Sequence, residues 1–144
     1  MKKNTKQTEE YFLKKFEAQT PRAKCNSIFE CFVSYNNAIK SAEKTTSKIK
    51  LEKLDDVAEI NFRLARKQMS LLNEKELTTY LELVKERMER DFASIKETDM
   101  LNARMQYSLL LRHIPEGLTP QQQTIKKELQ SKLENFYIRN EIEM

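Results

Sequence analysis

His113 is the only histidine in the chain, so any nucleophilic triad or proton relay would have to use it as base. It stands two residues before Pro115, at the end of an apolar helical pattern. A cation there suits the negative end of the helix dipole, and we read it as a capping residue rather than a catalyst. Cys25 and Cys31 lie six positions apart on one expected helix. That spacing is a rise of about 9 Å and a turn of about 240°, too far for a disulfide and unlike any zinc pattern. Two reduced thiols suggest the cytosol. Carboxylate-bridged metal centres in bundles need inward Glu-x-x-His pairs, and none occurs. Asp91 is the one acid flanking an apolar stripe, beside Met88 and Phe92. Its expected place is the stripe edge, paired with Arg87 or a lysine of another helix.

The single glycine, Gly117, removes a further class of chemistry. Phosphate-cradling loops of the dinucleotide and P-loop kinds are built on several glycines, so no nucleotide cofactor is expected. Nor is a metal. The chain is expected not to be an enzyme.

Binding chemistry is better represented. Residues 1–53 hold 12 Lys/Arg against 6 Asp/Glu, whereas residues 54–144 hold 14 against 16. Lys40, Lys44 and Lys48 recur at i, i+4, i+8 and would make one ridge if their helix ran that far. Arg63, Arg66 and Lys67 form a second basic cluster, able to hold a phosphate. Close glutamates would neutralise much of it. Met100, Met105, Tyr107 and Leu110 belong to a segment whose apolar residues spread around the whole circumference. Such a helix is central in a core or open to a partner.

These residues need helices to hold them. One glycine, three prolines and 33% charged residues leave narrow amphipathic stripes and a lean core. Residues 1–7 read as a flexible polar leader, and Thr8 opens a first helix over Tyr11, Phe12, Leu13 and Phe16. Thr20-Pro21 starts a second, striped by Cys25, Ile28, Phe29, Phe32, Tyr35 and Ile39, with Asn36 as a polar intruder that would fix register. Ser47 caps a third, with Leu54, Ala58, Ala65 and Met69. Asn73 and Glu76 form a capping box, with Leu72 and Leu77 as a hydrophobic staple. The fourth stripe, Leu77 to Ile95, breaks at Thr98-Asp99, and residues 74–113 form either two helices or one kinked helix. Pro115 and Gly117 mark a turn, and Thr119-Pro120 with Gln122 starts a last helix, thinly striped by Ile125, Leu129, Leu133 and Phe136.

The expected fold is all-α, a single-domain antiparallel bundle of five or six helices over residues 8–144. No apolar run nears the roughly 20 residues of a membrane span, so a membrane partner is not expected. The expected function is a small cytoplasmic protein binding a macromolecular partner, as an inhibitor, immunity protein, adaptor or assembly subunit. That partner would be another protein or a second copy of the chain. The alternative is a nucleic-acid accessory protein using the basic N-terminal third.

Overall fold

The computed structural model describes the backbone of residues 2–94 and 100–143, and the side chains of residues 8–94 and 102–135. The described residues form six helices and no strand: α1 (Lys2–Glu17), α2 (Pro21–Lys44), α3 (Lys48–Ser70), α4 (Glu74–Ser94), α5 (Met100–Arg112) and α6 (Pro120–Glu143). The protein is all-α, as its composition predicts. The helices group into two compact units, Met1–Leu72 and Asn73–Met144.

In the first unit, α1 begins at Lys2, ahead of the Thr8 start expected from capping. Lysine and glutamine favour helix almost as strongly as alanine, so the segment can continue the helix without a cap at Thr8. Thr20 caps α2, accepting from the Ala23 amide at 3.2 Å, with Pro21 at the first helical position. Thr45 leaves the helix in extended conformation, and Ser47 caps α3 by accepting from the Lys50 amide at 3.4 Å. The cross-helix contacts fix the sense of packing. Ser27 and Cys31 meet Gln68, whereas Tyr35 meets Phe62 with ring centroids 5.1 Å apart. Position on α3 falls as position on α2 rises, so the two helices run antiparallel. Between them lie Ile28, Phe29, Phe32, Ala65 and Met69, each at most 1% exposed. Asn36, also 1% exposed, sits on this buried stripe as its spacing predicts.

The second unit is joined by polar links at its helix ends. Asn73 and Glu76 form the expected reciprocal box, with Asn73 N donating to Glu76 Oε1 at 3.0 Å and Glu76 N donating to Asn73 Oδ1 at 2.9 Å. Thr119 and Gln122 repeat it on α6. Gln122 does more than cap, for its Nε2 also donates to the Glu74 carbonyl at 2.8 Å and to Thr78 Oγ1 at 3.1 Å. Buried Tyr80 donates its hydroxyl to the Leu110 carbonyl at 2.7 Å. That carbonyl lies in the last turn of α5, where helix geometry leaves acceptors without an intrahelical donor. Tyr80 with Leu110 and Phe92 with Tyr107 set α4 and α5 antiparallel. Lys85 with Glu128 and Glu89 with Lys132 set α4 and α6 parallel. The ion pairs hold the Glu89 carboxyl below its usual range and raise Lys85. Gly117, in the α5–α6 connection, takes φ +78°, the only positive φ among the described residues.

Candidate functional site

The basic ridge on α2 does not form. The helix stops at Lys44, and Lys48 opens α3 beyond the extended Thr45. Three lysines at i, i+4, i+8 share a face only within one helix, so Lys40 and Lys44 are separated from Lys48 by a change of chain direction. The second cluster is partly engaged within its own unit. Arg63 Nη2 lies 3.8 Å from Glu9 Oε2, and Lys67 Nζ donates to Glu9 Oε1. Arg66 stands over the Phe62 ring, 5.7 Å from its centroid. The carboxylate that meets these cations belongs to α1, and not to a neighbour in sequence.

The apolar patch of α5 divides in the same way. Tyr107 and Leu110 are buried, 4% and 2% exposed, because α5 packs against both α4 and α6. They are core of the second unit and offer no surface. Met105 is 38% exposed, and the Met100 side chain lies outside the described residues. Asp91 keeps to the stripe edge, but its partners are Arg90, at 3.9 Å, and the Tyr107 hydroxyl, which donates to Oδ2. Burial and the adjacent carboxylate push the Tyr107 phenol far above its usual range. His113 follows the last residue of α5 and is half-buried.

A further concavity lies in the first unit. A groove of about 570 Å³ opens between α1, α2 and α3, within the size range of ligand clefts. From α1 come Glu9, Phe12, Lys15 and Phe16, with Gln19 just beyond its end. Ser27, Glu30, Cys31 and Ser34 line it from α2, and Ile60, Asn61, Leu64 and Gln68 from α3. Its floor is apolar where Phe16 and Leu64 are buried, and Phe12 and Ile60, 43% and 40% exposed, stand at its edge.

Polar groups converge on one wall. Gln68 is 2% exposed, and its Oε1 accepts from Ser27 Oγ at 3.4 Å and Cys31 Sγ at 3.7 Å. Burial, with the Glu30 charge nearby, pushes the Cys31 thiol up to about 11, so at neutral pH it is a protonated donor rather than a nucleophile. Neither thiol is in a disulfide, and both are buried. Sequence reasoning passes over Gln68, yet a signal exists. It falls beside Leu64, Ala65 and Met69 on the stripe of α3, the same polar intrusion that marks Asn36 on α2. Gln19 carries no such signal, since it sits past the last turn of α1.

Among the described residues, no group of three or more His, Cys, Asp or Glu is placed to hold a metal ion, and no helix is long and apolar enough to cross a membrane. The arrangement offers shape, apolar contact and a few hydrogen-bonding groups. Comparison of the chain with protein families, with curated proteins and with solved structures finds no match.

Proposed function

We propose that this chain is a non-catalytic binding protein whose first unit holds a partner polypeptide along the groove between α1, α2 and α3. One observation carries the reading: the apolar stripe of α3 continues past its buried part into solvent. At about 100° per residue, Ile49, Val57, Ile60, Leu64 and Leu71 fall within about 80° of one another. Leu64 is buried in the groove, while Ile49, Val57 and Ile60 are 69%, 43% and 40% exposed. Tyr11 and Phe12 on α1, 61% and 43% exposed, add aromatic surface beside it. Contiguous exposed apolar surface rimmed by charge is typical of protein contact sites. The internal pairing of Arg63 and Lys67 with Glu9 favours a polypeptide over a nucleic acid, whose phosphates would compete with that carboxylate. Two buried thiols, neither in a disulfide, fit a reducing compartment, and we place the protein in the cytoplasm.

The test is panning of the full chain against a random peptide library on phage, followed by titration of the selected peptides. Replacing Phe12 and Ile60 together by serine should weaken binding at least about tenfold, while far-UV circular dichroism stays unchanged. Peptides that bind the double variant as well as the parent would overturn the groove as the site. Nucleic acid bound with steep salt dependence, and no peptide bound, would favour the electrostatic alternative.

A further inference from the structure

A polypeptide can enter a groove between helices as a helix or as an extended segment. A helix has already paired its own backbone N–H and C=O groups and offers side chains alone. An extended segment brings one donor and one acceptor per residue, and each must find a partner once buried. Two glutamines on the groove lining can answer them, one with a donor and one with an acceptor. Gln68 is 2% exposed and spends its Oε1 on Ser27 and Cys31, while its Nε2 has no hydrogen-bond partner among the described residues. Gln19 Oε1, on the same lining, is buried and likewise without a partner. A helix laid over them would have to answer both groups with polar side chains of its own, whereas an extended backbone carries the donor and the acceptor at every residue.

Charge adds direction. Lys15 on α1 and Glu30 on α2 line the groove, both exposed, and neither has an ion pair among the described residues. Glu9, the other charged lining group, is engaged by Arg63 and Lys67.

Building on the groove reading above, we infer that the occupant is an extended segment of a partner polypeptide. It hydrogen-bonds through its backbone to Gln68 Nε2 and Gln19 Oε1. It sets an apolar side chain against Phe12 and Phe16, with an acidic residue toward Lys15 and a basic one toward Glu30.

The experiment uses a peptide selected by panning against the full chain, made synthetically and titrated into isotope-labelled protein. The Gln68 side-chain amide resonances should shift on binding, and the bound peptide should keep extended chemical shifts. Methylation of one backbone nitrogen of the peptide should raise Kd at least about tenfold, as should Gln68→Glu, which keeps the size and removes the donor. If Gln68→Glu fails to fold, Gln68→Met removes the donor without adding charge and should weaken binding similarly. Lys15→Glu should weaken binding, and exchanging the peptide's acid for lysine should restore it. A peptide that loses affinity on Phe12→Ser but binds as a helix, or leaves the Gln68 resonances unmoved, overturns this inference and leaves the groove standing. Binding indifferent to Phe12→Ser, or no peptide selected, overturns both.

Discussion

The two units are of equal length and both helical, yet they use their polar residues differently. In Asn73–Met144, polar side chains join helix to helix. Tyr80 answers the end of α5, Gln122 ties the start of α6 to the start of α4, and Lys85, Glu89, Glu128 and Lys132 connect α4 with α6. In Met1–Leu72, long helices pair mainly through aromatic and aliphatic contact. Glu9 ties α1 to α3 and Gln68 ties α3 to α2, while Gln19 Oε1 is left without a partner on the lining of a groove. Seven of the eight large apolar side chains exposed among the described residues belong to that first unit. Charge follows the same division, with 15 Lys/Arg against 9 Asp/Glu in residues 1–72 and 11 against 13 in residues 73–144. A unit whose polar side chains tie its helices to one another is suited to serve as a scaffold. One that keeps apolar surface and hydrogen-bonding groups open is suited to binding.

The contrast breaks most visibly at Tyr80. Tyr80→Ala should destabilise the second unit by about 3–5 kcal/mol, since it empties a fully buried aromatic site and orphans the Leu110 carbonyl. Hydrogen exchange should accelerate in α4, α5 and α6. Equal acceleration in α2 and α3 would show that the two units do not behave separately. Gln122→Ala should cost about 2 kcal/mol, measured by denaturant unfolding, because a cap and two interhelical bonds are lost together.

The first unit should carry a pH signature at Cys31. Burial favours the neutral thiol, so the folded chain keeps this proton to higher pH than the unfolded chain. The contribution is therefore intact below about pH 9 and lost as pH rises to about 11, on the order of 2 kcal/mol. Cys31→Ala should remove that part of the slope in alkaline unfolding, and an unchanged slope would refute it. Phe12→Ser and Ile60→Ser should each change stability by less than about 0.5 kcal/mol, which would sharpen the distinction between binding surface and core. Smallest of all, Lys132→Met should leave the melting temperature nearly unmoved, because exposed ion pairs contribute little.

Much of the fold was legible because helix starts are written locally. Thr20-Pro21, Ser47, Asn73 with Glu76, and Thr119 with Gln122 each need only three or four consecutive residues, and each cap forms as its pattern predicts. Gly117 takes the positive φ for which a turn recruits glycine. The division after Leu72 is not legible, since a capping box reads the same whether it continues a bundle or opens a new unit. The groove escapes for a related reason. Its polar groups, Gln19 and Gln68, are far apart in sequence and come to line one groove only through packing of α1, α2 and α3. The Arg63 and Lys67 charges read as open because charge is visible in sequence while their partner, Glu9 of α1, is not.

The connection between α2 and α3 is three residues long, Thr45 to Ser47, and it has a kinetic consequence. Closing so short a loop costs little chain entropy, and domains dominated by local helical contacts fold in microseconds to milliseconds. Synthesis of residues 73–144 takes roughly 4–14 s at about 5–20 residues per second. The helical hairpin can therefore be complete, with its apolar edge open to solvent, while the ribosome is still adding the second half of the chain.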